Sequence, residues 1–224
     1  MFLTIGNVLH ADKLEIVRNV ATKLKWRDGA DTAGPTARKV KRNQQADLSD
    51  PQGKALHDQL MAAINANTVL QAAARPAKFS RLLLSRTSKD GGYGAHVDNA
   101  IMGAGDHKLR TDLSFTLFLS DPEAYEGGAL MLDLPGGQQS LKPQAGELVL
   151  YPSTLIHAVE PVSAGERLVA VGWIQSQIRH AEQRQILFDL EQVRSTLRAK
   201  DGTSPEALML DKAMSNLLRQ WTDI

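Results

Sequence analysis

The stretch GGYGAHVDNA, residues 91–100, contains the pattern that decides how this chain is interpreted. His96 and Asp98 are two residues apart, so on an extended segment their side chains point to the same side. His157, on a distant segment, can complete a cluster of two imidazoles and one carboxylate. Such a cluster occupies one face of an octahedral ion and suits non-haem Fe(II) enzymes, which need open positions for a cosubstrate and O₂. The pattern predicts a metal site formed by these three residues.

A His-x-Asp pattern alone is common on protein surfaces, so the surrounding sequence must support it. Residues 153–160 and 167–174 have the β-branched and apolar content of strands. Arg167 would then share a strand face with apolar side chains. An arginine in that position either binds an anion or pairs with a nearby carboxylate such as Glu166 or Glu147. In the first case its planar guanidinium could hold one end of a dicarboxylate such as 2-oxoglutarate, while the other end chelates iron.

Composition limits the class of protein. The chain has 224 residues, 42% of them hydrophobic, which is enough for one domain with a substantial core. Its formal net charge of +1 gives no field that would recruit nucleic acid or a membrane surface. The absence of cysteine excludes disulfides and thiolate metal sites. With no apolar run of membrane-spanning length and no signal-peptide pattern at the start, we expect a cytoplasmic protein, a compartment in which Fe(II) persists.

The hydrophobic pattern predicts helices, then strands, then helices. Helical spacing appears over residues 12–25 and 54–74, and short strands follow from residue 79 to 174, including a half-buried strand over 113–119. The strand spacing is typical of a sandwich or jelly roll. We therefore predict a mainly β fold with flanking helices, in which a double-stranded β-helix core is buttressed by N-terminal helices. Residues 27–50 are interpreted as a loop.

The basic cluster Arg38–Arg42 lies in that loop and is either a solvated surface or a substrate contact. Beyond the strands, two more helices are predicted, the second beginning after an N-cap at Ser204 with Pro205 at its first position. These helices either pack on the barrel or pair with another subunit, which would make a homo-oligomer. The predicted division is a jelly-roll domain over residues 1–178 and a helical extension over 179–224.

Motifs in a characteristic order run along nearly the whole chain. They are His96–Ala100, Arg110–Ser120, Tyr125–Gly128, Leu148–Ser153, His157, Gly165–Arg167 and Gln175–Arg179. Together they resemble the bacterial PKHD-type hydroxylases, iron-uptake-associated members of the prolyl/lysyl-hydroxylase-like Fe(II)/2-oxoglutarate dioxygenases.

The resemblance implies a function and a set of site residues. His96, Asp98 and His157 would be the iron ligands, and Arg167 would bind the C5 carboxylate of 2-oxoglutarate. Fe(II) would act with 2-oxoglutarate and O₂ as cosubstrates, and ascorbate (vitamin C) as a further requirement is implied by the family. The substrate would be a peptide side chain or a small molecule of iron uptake, which implies a role in iron homeostasis, and succinate and CO₂ would be released.

One departure from the family pattern concerns a hydroxyl group. The family commonly has Asn-Arg-Tyr on the strand before the iron ligands, whereas Ser80-Arg81-Leu82 stands here, so Leu82 supplies no hydroxyl for the cosubstrate. Tyr93 is the candidate to replace it, or else it packs in the core. The loops at residues 87–92 and 103–108 are expected to flank the iron opening and to select the substrate.

Two other classes of protein stay open on the sequence. A cupin-like metal protein would also use a barrel and histidine ligands, although it typically has more histidines and no arginine ten residues after the last ligand. A non-catalytic sensor of iron or 2-oxoglutarate would keep the same three ligands and lose turnover. Formation of succinate when substrate is added separates a sensor from an enzyme.

Overall fold

The computed structural model describes residues 1–32 and 37–223. The helices are α1 (Ala11–Ala21), α2 (Pro51–Ala66), α3 (Thr68–Ala74), α4 (Ala181–Asp201) and α5 (Pro205–Trp221). The strands are β1 (Leu3–Ile5), β2 (Trp26–Asp28), β3 (Lys41–Arg42), β4 (Gln44–Ala46), β5 (Pro76–Phe79), β6 (Leu83–Thr87), β7 (Gly92–His96), β8 (Ile101–Met102), β9 (Leu109–Arg110), β10 (Leu113–Phe118), β11 (Tyr125–Gly127), β12 (Leu130–Leu134), β13 (Gly137–Leu141), β14 (Leu148–Pro152), β15 (His157–Val159), β16 (Val162–Gly165) and β17 (Arg167–Ser176).

Two antiparallel sheets form the body of the molecule. The larger has the order β1-β14-β10-β17-β6-β4-β2, with β5 also pairing with β17. The smaller has the order β13-β12-β15-β7-β3. Neighbours in space are mostly distant in sequence, as expected for a jelly roll. The mainly β fold with flanking helices is confirmed, and it brings residues around 96, 157 and 167 into one region.

The helices cover the outer face of the larger sheet. Buried residues of α1 and α2, such as Val17 and Leu60, belong to the same apolar cluster as Phe115 and Leu117 of β10. A second apolar cluster joins strands of the two sheets, with Phe118, Leu130, Leu132, Val149, Tyr151 and Val169 as its buried members. The space between the sheets is therefore partly filled with side chains, and only the remainder is available to a ligand.

The strand predicted over 113–119 is present as β10, but the prediction that it is half-buried is wrong. Every residue of β10 is buried, because this strand lies inside the larger sheet between β14 and β17. Leu113, Phe115 and Leu117 contribute to the apolar cluster under the helices. The alternate residues Ser114 and Thr116 face the space between the sheets. The polar members of this alternation thus mark a cavity rather than the solvent.

Several predicted element boundaries differ from the structure. The helix predicted over 54–74 is two helices, since Asn67 ends α2 and caps α3 by accepting a hydrogen bond from the Leu70 amide at 2.9 Å. Of the strand predicted over 153–160, only His157–Val159 is extended, and a turn precedes it.

The C-terminal helices pack on the body of this chain. Arg184 of α4 is buried and donates hydrogen bonds to the carbonyl oxygens of Ile178 and Arg179, both at 2.8 Å. The end of the chain returns to the same place, because Thr222 forms a β-bridge with Ile178. The predicted cap of α5 is confirmed, with Ser204 Oγ accepting from the Ala207 amide at 3.2 Å.

The prediction of a simple loop over 27–50 is also wrong for the described part of this range, which leaves out residues 33–36. This region contributes β3 to the smaller sheet and β4 to the larger one. The basic cluster Arg38–Arg42 therefore ends in a strand and is not simply a solvated loop. Within the described ranges, none of the helices has the length and apolar content needed to cross a bilayer.

Candidate active site

The structure brings His96, Asp98 and His157 together at one end of the smaller sheet. His96 ends β7 and His157 begins β15, and the two residues are directly paired across these hydrogen-bonded strands. Asp98 lies two residues beyond His96, just past the end of β7, and its carboxylate lies on the same side as the two rings. One ligand atom from each residue lies within 4.8 Å of the others, and His157 Nε2 is 3.8 Å from Asp98 Oδ2.

The backbone fixes which nitrogen of each imidazole is free. His96 Nδ1 lies 2.9 Å from the carbonyl oxygen of Gly94, and His157 Nδ1 lies 3.0 Å from that of Leu155. A carbonyl oxygen only accepts hydrogen bonds, so Nδ1 of each ring must carry the proton and donate it. The lone pair of each neutral ring is then on Nε2, which is the atom a metal would take.

The electrostatics of the cluster favour the neutral imidazole of His96. Burial, and next the neighbouring His157, lower the pKa of His96 to about 4. A ring that stays unprotonated near neutral pH is ready to coordinate a cation without first losing a proton. Two imidazole nitrogens and one carboxylate oxygen on one side of an open cavity are a donor set that fits Fe(II).

A pair of serines supports the carboxylate from behind. Ser114 Oγ donates to Asp98 Oδ2 at 2.6 Å, and Ser114 Oγ also lies 2.7 Å from Ser153 Oγ. Hydrogen bonds of this kind orient a carboxylate ligand before the metal arrives. Sequence reasoning missed both serines, although the position of Ser114 as a polar residue within an apolar strand was a usable signal.

The cluster opens into a cavity of about 120 Å³ between the two sheets. Both sheets contribute to its lining, with Leu83, Phe115, Leu130, Val169 and Val171 as apolar members and Thr116, Tyr151 and Trp173 as polar ones. Trp173 Nε1 is a buried donor that has no partner among the described residues. The cavity is thus mainly apolar with a few polar groups directed inward, which is the usual character of a small-molecule site.

Arg167 lies in the wall of this cavity on the larger sheet. It is only 3% exposed, its guanidinium carbon is 5.1 Å from the centre of the Phe118 ring, and burial lowers its pKa. Among the described residues, no carboxylate lies within 4.0 Å of its guanidinium nitrogens. Glu166 instead approaches Arg86, at 4.0 Å. Arg167 therefore does not pair with Glu166 or Glu147, which was the alternative that the sequence left open.

Two tyrosines lie close to this buried cation. Burial raises the pKa of Tyr125 and of Tyr151, and the positive charge of Arg167 offsets part of both shifts. The Tyr125 hydroxyl and Arg167 Nε are both buried without a hydrogen-bond partner in the described part of the chain. A buried guanidinium beside protonated phenols, with donor capacity left over, is suited to an anion. The sequence reasoning had assigned no role to either tyrosine.

Tyr93 and Leu82 have different positions. The Tyr93 ring stacks on His96, with centroids 3.6 Å apart and planes 19° apart, and it also lines the cavity. Burial raises its pKa to about 12, so its phenol is a hydrogen-bond donor.

Leu82 lies in the apolar core under the helices. Further along the same region, Ser85 and Thr87 of β6 face the cavity, and Thr87 is paired with Arg167. Leu82 has no hydroxyl group to offer, whereas Ser85 and Thr87 of β6 bring two hydroxyl groups to the cavity.

Of the two loops expected at the opening, one is tied to a strand. The amide of Asp90 donates to the Val162 carbonyl at 2.9 Å, and the Val162 amide donates to Gly91 at 2.9 Å. The other loop adjoins Met102, which lines the cavity. A role in closure for the segment 103–108 stays a prediction.

The amino-acid sequence matches two family models and is similar to named proteins over its whole length. Residues 82–175 match the 2OG-Fe(II) oxygenase superfamily, and residues 182–223 match the PKHD-type hydroxylase C-terminal domain. A PKHD-type hydroxylase of Hyphomonas neptunium is 50% identical over 223 residues, which cover 99% of this chain and 100% of the relative. One of Crocosphaera subtropica is 45% identical over 223 residues, covering 100% of both. The chain belongs to the PKHD-type hydroxylase family. It is a 2-oxoglutarate- and Fe(II)-dependent dioxygenase, and the resemblance inferred from its motifs is confirmed.

Solved structures support the fold of this PKHD-type hydroxylase. A prolyl-4-hydroxylase of Pseudomonas putida superimposes with a TM-score of 0.52 at 23% identity, covering 78% of this chain and 92% of that one. A prolyl hydroxylase of Trichoplax adhaerens, solved with a peptide fragment of hypoxia inducible factor, gives 0.53 at 16% identity, covering 83% and 86%. At these identities the likeness concerns the fold.

Proposed function

We propose that this chain hydroxylates a peptide side chain or a small molecule, with His96, Asp98 and His157 holding Fe(II) and Arg167 holding 2-oxoglutarate. One observation carries the assignment: the same cavity contains the three-residue cluster and a buried guanidinium that no described carboxylate neutralises. A dicarboxylate that reaches from one to the other would satisfy both.

Each group of residues would bind a different part of the metal and cosubstrate. The two Nε2 atoms and the Asp98 carboxylate would bind one side of the ion and leave its cavity side open. Arg167, with the Tyr125 phenol beside it, would bind the distal carboxylate of 2-oxoglutarate and set its direction toward the metal. When bound, the metal and 2-oxoglutarate supply an oxidation in which O₂ gives one oxygen atom to succinate and one to the substrate, with release of CO₂.

The remaining lining would exclude water and position the substrate. Apolar side chains such as Leu83, Leu130 and Val171 line the cavity, so bulk water would be displaced when a substrate enters. Trp173 Nε1, a donor without a described partner, is available to a polar atom of a bound molecule. Tyr93 packs against His96 and faces the cavity, and its contact with 2-oxoglutarate stays a prediction.

The test begins with purified protein, Fe(II) and 2-oxoglutarate. Succinate should form slowly without substrate and faster when the right substrate is added, and untargeted profiling of cells with and without the gene should reveal products heavier by one oxygen atom. Asp98→Ala should abolish succinate formation. Asp133→Ala, an exposed carboxylate on β12, is the matched control and should leave it unchanged. A wild-type protein that binds Fe(II) and 2-oxoglutarate yet never forms succinate would instead be a sensor.

A requirement for ascorbate and a role in iron homeostasis depend on the family resemblance and stay predictions. A cytoplasmic location, which was inferred from the composition and the start of the sequence, also stays a prediction. Self-association through α4 and α5 also stays a prediction, and light scattering at several protein concentrations tests it.

A further inference from the structure

The chain directly after Asp98 is exposed and has no regular secondary structure. Residues 98–100, called here the ligand segment, lie between the end of β7 and the start of β8. Asn99 and Ala100 are exposed, whereas the side chain of Asp98 is only 8% exposed. Burial therefore does not hold this stretch of main chain in place. A carboxylate ligand needs a fixed backbone, because its direction follows from the main chain that carries it.

Thr111 makes two hydrogen bonds to the ligand segment. Its Oγ1 donates to the carbonyl oxygen of Asn99 at 2.6 Å, and its amide donates to the carbonyl oxygen of Ala100 at 3.0 Å. Thr111 is itself buried. A threonine hydroxyl has one proton to donate, and here it goes to the main chain one residue after Asp98.

The residues on both sides of Thr111 are anchored to β17, which lies in the middle of the larger sheet. The amide of Arg110 donates to Gln175 Oε1 at 2.9 Å, and the amide of Asp112 donates to the Ile174 carbonyl at 3.0 Å. An ion pair also joins the two neighbours, with 2.6 Å between Arg110 Nε and Asp112 Oδ1. Thr111 is therefore a fixed point from which the ligand segment can be held.

The same three residues, Arg110–Asp112, also reach the serine pair behind the carboxylate. The carbonyl oxygen of Asp112 accepts a hydrogen bond from the Ser153 amide at 3.2 Å. Ser153 Oγ lies 2.7 Å from Ser114 Oγ, which donates to Asp98. Asp98 is thus held in two places: Ser114 orients its carboxylate, and Thr111 holds the main chain that follows it.

We propose that Thr111 is a positioning residue of the metal centre, which fixes the direction of the Asp98 carboxylate by holding the ligand segment. This inference rests on the proposed function, in which Asp98 binds Fe(II). Residues that hydrogen-bond directly to metal ligands change metal affinity about 10–100-fold. Thr111 acts one step further away, through the main chain, so the lower end of that range, about tenfold, is the expected effect.

Thr111→Val tests the hydrogen bond, because valine removes the hydroxyl and keeps the shape of the side chain. Fe(II) affinity is measured by calorimetry without O₂, at a temperature at which thermal melts show each variant to be folded. The dissociation constant should rise about tenfold. Thr111→Ser keeps a hydroxyl and should bind Fe(II) as the wild type does. If Thr111→Val does not fold, Thr111→Ala replaces it. An unchanged dissociation constant without the hydroxyl, or an equal loss in Thr111→Ser, overturns the inference.

Thr22→Val is the matched control for the loss of a threonine hydroxyl. Thr22 Oγ1 also donates to a main-chain carbonyl, that of Asn19 at 2.8 Å, but it does so at the end of α1. One lost hydrogen bond lowers Tm by about 2–4 °C in a chain of this size, so Thr111→Val should melt lower than wild type whatever its role. Fe(II) affinity should fall in Thr111→Val and not in Thr22→Val. An equal fall in both variants overturns the inference.

The Asp98→Ala variant separates this inference from the function on which it rests. If Asp98→Ala loses Fe(II) binding and Thr111→Val does not, the inference is wrong and the proposed function stands. If Asp98→Ala binds Fe(II) as the wild type does, or the wild type does not bind it, the proposed ligand set fails and the inference fails with it.

Discussion

Replacing Arg167 with methionine should stabilise the ligand-free protein while weakening 2-oxoglutarate binding. The guanidinium is 3% exposed and has no described carboxylate within 4.0 Å. An unpaired buried charge costs several kcal/mol even after local relaxation. Its contact with the Phe118 ring, at 5.1 Å, returns about 2 kcal/mol. Methionine removes both effects, so we expect the free energy of unfolding to rise by about 1–4 kcal/mol.

The same substitution should remove most of the stabilisation that 2-oxoglutarate provides. Hydrogen bonds to a charged group contribute about 1.5–3 kcal/mol, which is a ten- to hundredfold change in dissociation constant. At a concentration one hundred times its dissociation constant, a ligand stabilises the folded state by about 2.7 kcal/mol. A hundredfold weaker site at that concentration gains only about 0.4 kcal/mol.

The assay is a set of thermal melts on metal-loaded protein without O₂, with and without 2-oxoglutarate. For a chain of this size, 1 kcal/mol corresponds to about 2–4 °C in Tm. Arg167→Met should melt higher than wild type without ligand and shift little with it, and Arg167→Lys should recover only part of the shift, because a point charge replaces a planar fork. An Arg167→Met protein that melts lower than wild type and keeps the full ligand shift would refute the reasoning.

Three further perturbations test the metal cluster. Single alanine substitutions of His96, Asp98 and His157 should each abolish Fe(II) binding by calorimetry and succinate formation; full iron occupancy in any of them would remove that residue from the ligand set. Ser114→Ala should weaken Fe(II) binding about 10–100-fold with the fold intact, because the Asp98 carboxylate loses its 2.6 Å hydrogen bond, and an unchanged affinity would contradict this. Metal-free protein should lose stability as pH falls from about 6.5 to about 4, because unfolded His96 takes up a proton in that window and folded His96 does not. The loss of unfolding free energy is at most about 3 kcal/mol, and denaturant melts across this pH range measure it. In His96→Gln, the slope of the unfolding free energy against pH should flatten.

The sequence predicted those features that depend on short-range spacing or on a complete strand pattern. His96 and Asp98 are adjacent on one side of an extended segment, and Arg167 stands in a strongly apolar strand, so their placement follows from local geometry. The roles of these residues were inferred from the family motifs and not from spacing alone.

Other features depend on contacts that no local pattern records. Lys41 lines the cavity because β3 pairs with β7, fifty residues further along the chain. Ser114 supports Asp98 only because the fold brings β10 next to the segment that follows β7, and the burial of Ser114 reflects the strands on both sides of β10. The break at Asn67 was missed because the apolar spacing continues across it, whereas the side-chain cap that starts α3 is a single hydrogen bond.

The proton positions of the two imidazoles have a consequence for how this site tolerates change. Each ring takes its tautomer from a main-chain carbonyl two residues earlier on its own segment, at Gly94 and at Leu155. Main-chain oxygens are present whatever side chain a codon specifies. Substitutions around the cavity can therefore alter its shape and charge while the Nε2 atoms of both rings keep facing the same point. Related proteins can thus change the substrate that fits the cavity and keep the same metal-binding geometry.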